Sequence, residues 1–186
     1  ARDLLVALVK EFPSNVQQSI ALAAVLAKDK ARMKEAEEVF NTYLKTQSET
    51  APIESVQAVY LGLTHLALMK NDFVQAAQVL STLVKSAKFG ANLRHRPGVV
   101  ATQVALFEKA GQLDGAHRVI QAAVDYWKSE ATKSSDGSRL FTIILSGAST
   151  WYNRHGREAD AAILLELLAA QTSSSKSPSD GSASSR

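Results

Sequence analysis

Cysteine is absent from this chain of 186 residues, which removes disulfides, thiolate zinc sites and a thiol nucleophile from its possible chemistry. No Asn-x-Ser/Thr glycan acceptor occurs either. Glycine and proline are sparse, at 9 and 4 residues, so little interrupts a helix, and aromatic residues make up only 6%. The longest apolar runs, such as LLVALV at 4–9, fall far short of the roughly 20 residues a membrane-spanning helix needs. Lys and Arg number 21 against 18 Asp and Glu, a net charge of +3 with no long basic block, so electrostatics alone makes no case for nucleic acid. There is no nucleophile elbow, no phosphate-binding glycine loop, and no paired carboxylates beyond the solvated helix faces of Glu35, Glu37 and Glu38. The expectation is a cytoplasmic, non-enzymatic protein without cofactor, metal or membrane segment.

What the chain has is helix-forming residues, 46% of them hydrophobic, arranged with an internal repeat. Four alanines recur in similar contexts: Ala36 in MKEAEEVF, Ala76 in FVQAAQVL, Ala116 in LDGAHRVI and Ala161 in ADAAILLEL. They stand 40, 40 and 45 residues apart, the length of a helix–turn–helix unit, which is the signature of a solenoid. Each is small because the two helices of a hairpin cross closely there. A bulky apolar residue follows four places on, namely Phe40, Leu80, Ile120 and Leu165, to fill the space between hairpins. Five places before three of the anchors stand Asn71, Gly111 and Gly156, where the turn needs a residue tolerant of positive φ; Ala31 departs from this rule.

Ser14 with Gln17 has capping-box spacing and opens a helix over about 15–28, partnered by one over 32–46. Pro52 opens the next pair, with Val56, Tyr60, Leu63 and Ala67 inward, and the second helix runs over 73–87. Pro97 opens the third pair, whose second helix reaches about Trp127. A polar, turn-rich linker over 128–138 accounts for the longer last spacing, and the fourth pair covers 139–170. From Thr172 the serine-rich sequence has no apolar period and is expected to be disordered, so the organisation is a repeat domain over 1–171 and a tail over 172–186. The opening ARDLLVALVKEFPSN has the form of a second helix ending in a proline turn, so the chain is expected to begin inside a longer array.

Aligned on their alanines, the hairpins resemble tetratricopeptide repeats, which implies an all-α fold, a right-handed α-solenoid of helical hairpins. The second half has a sharper likeness: Pro97–Gly98, Val104–Ala105–Leu106, the Gly111 to Ala116 turn, Tyr126–Trp127, and Tyr152 with Arg154–His155–Gly156. Over about 94–168 these resemble the last repeats of the tetratricopeptide subunits of the eukaryotic signal recognition particle, the seventy-two-kilodalton family. The resemblance implies a scaffold that holds a segment of the sixty-eight-kilodalton partner subunit for co-translational targeting to the endoplasmic reticulum. RNA contact in that family belongs to a lysine-rich region after the repeats; here the serine-rich tail carries only Lys176 and Arg186, so contact with the particle RNA is expected only through regions outside this sequence. Two other readings fit the same repeats: a helical-repeat adaptor of another complex, such as a lid or coat subunit, and an RNA-binding helical repeat.

In tetratricopeptide arrays the first helices line the concave face. The stripe mapped from the anchors holds Gln18, Ala21, Val25 and Lys28; Ala58, Leu61, His65 and Leu68; Ala101, Ala105, Glu108 and Lys109; and Ile143, Ser146, Thr150 and Asn153. At the places that match the Lys and Asn clamp for a terminal carboxylate the stripe has Ala, Leu, Ser, Val, His and Thr, which favours an apolar peptide or helix. The groove residues singled out are Leu61, His65, Leu68, Ala105, Lys109 and Asn153; Leu61 and Leu68 either meet a partner's apolar stripe or are covered by the adjoining repeat. Arg94, His95 and Arg96, with Arg154 and Arg157, form either an anion patch or solvated loop charge. His65, His95, His117 and His155 lie on different hairpins and lack the convergent ligands of a metal site. Tyr126–Trp127 and Trp151–Tyr152 fall within apolar faces and are assigned to packing, not base stacking.

Overall fold

The computed structural model of the chain describes residues 2–174. Within them are nine α-helices and no strand: α1 (Arg2–Glu11), α2 (Val16–Ala27), α3 (Met33–Gln47), α4 (Ile53–Met69), α5 (Phe73–Lys85), α6 (Pro97–Lys109), α7 (Leu113–Ala131), α8 (Ser135–Arg154) and α9 (Glu158–Ser174). Helices pack on their neighbours in the chain: α2 on α3, α4 on α5 and α8 on α9 make hairpins, and α1 on α2, α3 on α4 and α5 on α6 join one hairpin to the next. Two compact units result, the first over 1–116 and the second from 117 onward, where the sequence pattern led us to expect one repeat domain.

Turn chemistry accounts for the hairpin register. Asn71, Gly111 and Gly156 adopt φ of 57°, 71° and 67°. At each, the next amide reaches back to a carbonyl of the preceding helix: Asp72 to Ala67 at 2.9 Å, Gln112 to Phe107 at 2.8 Å and Arg157 to Tyr152 at 2.9 Å. This is one helix-ending motif used three times, and it satisfies carbonyls that the helix would otherwise leave unpaired. The first hairpin, where Ala31 stands, turns instead through a 3₁₀ segment at Lys30–Arg32, capped by Asp29, whose Oδ1 accepts from the Ala31 amide at 3.0 Å.

Caps set the helix starts. Asn15, not Ser14, caps α2 by accepting from the Gln17 amide at 3.1 Å, while the Ser14 carbonyl accepts from the Tyr43 hydroxyl at 3.4 Å. Asp72 caps α5 through the Gln75 amide at 2.9 Å, and Pro97 begins α6. The stretch expected to be a linker is mostly helix: α7 continues to Ala131 and α8 starts at Ser135, with Ser134 accepting from the Gly137 amide at 3.0 Å. Polar residues extend both helices because they project into solvent, and a real cap lies hidden in the SSDG run. At the other end α9 passes Gln171, whose Nε2 donates to Ser138 Oγ at 2.6 Å, and reaches Ser174. The Thr172 and Ser173 hydroxyls donate back to the Ala169 carbonyl, each at 2.9 Å, within the last turn of α9; the disorder expected further on lies outside the described residues.

All four anchors are buried, at 0% exposure for Ala36, Ala76 and Ala116 and 1% for Ala161. In the first unit α2, α3 and α4 enclose a core centred on Leu22, Leu26, Phe40, Tyr43 and Leu63, and a second cluster joins Ala67, Ala76, Leu80, Leu83 and Leu106. In the second unit Phe141, Leu145, Trp151 and Tyr152 of α8 are buried, as are Ala161 and Leu164 of α9. Phe40, Leu80 and Ile120 are interior as expected, but Leu165 is 47% exposed, with Leu164 taking the inner place. No described helix follows α9 to cover the face that carries Leu165. Tyr60 is half-buried rather than interior, and Tyr126 is exposed, whereas Trp151 and Tyr152 are packed as assigned. Because a buried alanine leaves no room for three further carbons, Ala116→Leu should destabilise the chain by about 1–3 kcal/mol, measured by urea unfolding. Unchanged stability there would show that the helices do not cross tightly at the anchors.

Candidate partner-binding groove

In the first unit α4 carries Leu61, 51% exposed, and His65, also exposed, one turn further on. Leu68 differs: it is half-buried and packs against the Ala67–Leu106 cluster, so of the two leucines only Leu61 is open. Ala105 and Lys109 are exposed on α6, and the Lys109 ammonium sits 5.1 Å from the centroid of the Phe73 ring, a cation–π contact that steadies it. Asn153, on α8 in the second unit, is exposed, as are Ile143, Ser146 and Thr150 on the same helix.

Between α2 and α4 lies an apolar slot of about 270 Å³. Its walls are Ile20, Ala23, Ala24 and Ala27 on one side and Gly62, Leu66 and Met69 on the other, with Phe40 beneath and Lys28 and His65 at the lining's polar positions. The slot exists because its walls are small. A Cβ on Gly62 would stand 2.7 Å from two atoms of the Phe40 ring, so only glycine lets that ring rise beneath α4. Sequence mapping reached Lys28 and His65 but missed Ala24, Gly62 and Met69; small residues at helical spacing in α2 were the available signal.

A second, larger hollow of about 690 Å³ runs along α1, α2 and α3, lined by Val6, Val9, Leu22, Leu26, Val39 and Tyr43 among others. Arg32 beside it pairs with Glu35, Nε to Oε1 at 2.9 Å, which holds the Glu35 carboxyl below its usual range. In the second unit a hollow of about 350 Å³ is lined by Ile120, Val124, Tyr152, Ile163, Leu164 and Leu167. The Tyr152 hydroxyl is 2.7 Å from His117 Nδ1, and burial pushes its pKa up.

Of the arginines read as either an anion patch or solvated loop charge, Arg94 and Arg157 have structural work. Arg94 donates from Nε to the Val84 carbonyl at 3.0 Å and from Nη2 to that of Lys85 at 3.2 Å, capping the end of α5. Arg157 donates from Nε to Asp160 Oδ2 at 2.7 Å and lies over the Tyr152 ring at 5.1 Å. Arg96 and Arg154 are exposed. Among the histidines, His155 Nδ1 is 2.8 Å from the Trp151 carbonyl and its ring stacks on the indole at 4.3 Å. No three His, Asp or Glu side chains among the described residues converge as a metal site. No described helix is long and apolar enough to cross a membrane.

Neither a family model nor a solved structure matches the chain. It is similar to signal recognition particle subunit SRP72 of Dictyostelium discoideum, with 27% identity over 149 residues, 80% of this chain and 20% of the relative. It is similar also to SRP72 of Canis lupus familiaris, with 23% identity over 167 residues, 90% of this chain and 22% of the relative. The chain thus spans about a fifth of the length of the curated relatives it matches. The likeness extends well beyond the 94–168 stretch that motifs alone picked out, which strengthens the case for an SRP72-like relationship.

Proposed function

We propose that this chain is a scaffold segment of the signal recognition particle, a right-handed solenoid of tetratricopeptide-like hairpins without enzymatic activity, working in the cytoplasm. The similarity to SRP72 across most of the chain is the observation that carries this reading. On it, the partner is the sixty-eight-kilodalton subunit, of which a segment is held against the first-helix face at Leu61, His65, Leu68, Ala105 and Lys109 of the first unit, with Asn153 a separate candidate contact on the second, in a particle that targets nascent chains to the endoplasmic reticulum. The exposure of Leu61 beside a nearly uncharged helix surface supports apolar recognition.

The test is capture of the partner subunit's C-terminal region by the purified chain. Leu61 is 51% exposed, so covering it contributes about half of the roughly 1.5–3 kcal/mol of a whole leucine; Leu61→Asp, which also places a charge in the interface, should weaken binding by about tenfold or more while the far-ultraviolet circular dichroism stays helical. Leu68→Asp is the less clean variant because Leu68 also packs inward. Raising salt to about 0.5 M should change affinity much less than tenfold. If salt abolishes binding and Leu61→Asp binds normally, the apolar reading fails, and Arg94 and Arg96 or Arg154 and Arg157 become the place to look.

A further inference from the structure

We infer that the slot between α2 and α4 receives one large apolar side chain of an acidic partner segment, with a carboxylate near that anchor meeting Lys28. This rests on the reading of the first-helix face as the partner surface and specifies what part of a partner it selects. Three observations lead there. First, the slot is bounded by methyl-sized walls and an aromatic floor, and about 270 Å³ suits a phenylalanine or leucine side chain. Second, its only titratable lining groups are Lys28 and His65; no carboxylate lines it. Third, neither the Lys28 ammonium nor the His65 ring makes a hydrogen bond or ion pair with another described residue, whereas the ammonium of the corresponding lysine at the end of α4, Lys70, is held by Glu37 at 2.6 Å. α2 has no charged residue, Lys28 stands at its C-terminal cap, and the neighbouring carboxylate in the chain, Asp29, is engaged with the Ala31 amide at 3.0 Å, so Lys28 is the slot's cation.

The chemistry follows from this asymmetry. The anchor contributes affinity by leaving water, and the carboxylate contributes selection, because a cation in the same place would face Lys28. An exposed pair of this kind is worth little, so the preference it imposes is small but has a definite sign.

The test uses the whole chain and two blocked, alanine-rich helical peptides, each with one phenylalanine. One carries glutamate four residues after the phenylalanine, the other lysine. Amide shifts of Ala24, Gly62 and His65 and the fitted affinities are read by NMR. The glutamate peptide should bind about two- to fivefold more tightly than the lysine peptide at low salt, and replacing its phenylalanine by alanine should weaken it by at least about tenfold. Lys28→Glu should reverse the preference, and Ala24→Phe, which fills the slot from its open edge, should remove binding of both. If Lys28 serves only to offset the carbonyl end of α2, Lys28→Glu leaves the preference unchanged and the proposal is overturned. It is overturned equally if neither peptide shifts these amides, or if a folded Ala24→Phe chain still binds. Because Leu61 does not line the slot, partner capture that depends on Leu61 but ignores Ala24→Phe and Lys28→Glu sinks the slot alone; loss of partner capture altogether sinks the scaffold reading.

Discussion

Gly90→Ala is expected to destabilise the chain by about 3 kcal/mol, the upper part of what overpacking usually costs. The backbone after α5 folds back so closely that a Cβ on Gly90 would lie 2.3 Å from the Leu83 carbonyl oxygen and 2.4 Å from that of Val84. Those atoms are backbone and cannot rotate away, so the whole return segment must lift. Lifting it disturbs three other attachments. Arg94 caps the Val84 and Lys85 carbonyls; Lys88 donates to the Ser48 and Glu49 carbonyls at 3.3 and 2.9 Å; and Gln57 of α4 donates to the Phe89 carbonyl at 2.6 Å. Gly98, near the start of α6, has no heavy atom within 4 Å of where its Cβ would be. Gly98→Ala should therefore leave stability unchanged or raise it by up to about 0.5 kcal/mol. Urea unfolding of the two variants side by side measures the contrast, and similar midpoints would show that the return segment is not held as described.

Phe40→Ala should cost about 3–5 kcal/mol, the range for removing a buried phenylalanine. Phe40 is 4% exposed, belongs to the core shared by α2, α3 and α4, and floors the slot under Gly62. Its loss leaves a void joined to that slot; Ala23, Ala27 and Gly62 are too small to fill it, so closure would have to come from Ile20, Leu66 or Met69. Phe40→Leu, which keeps most of the apolar volume, should lose markedly less. A fall of under about 1 kcal/mol in the alanine variant would mean that the core closes over the gap and that Phe40 is not its centre.

Local chemistry alone determined the repeat. A tight helix-to-helix turn needs positive φ, so Asn71, Gly111 and Gly156 could be located without coordinates, and each hairpin's crossing alanine follows at a constant interval from its turn. Even the departure at Ala31 was legible, since the chain turns there through a 3₁₀ segment. Those features depend on residues within one or two helical turns of each other. What only the tertiary structure decided is which apolar positions find a neighbour and which charges find a partner. Leu165 occupies the same place in its hairpin as Phe40, Leu80 and Ile120, yet no described helix lies against it. Leu61 and Leu68 occupy the same stripe, yet only Leu68 meets the cluster built by α5 and α6. Arg94 belongs to a basic run in the sequence but spends its guanidinium on two carbonyls about ten residues back. The slot likewise needs Gly62 and Phe40, 22 residues apart on different helices, to approach within contact distance. Periodicity specifies the direction in which a side chain leaves its helix, whereas burial, pairing and cavity shape depend on what stands opposite, and that is settled only when the hairpins pack.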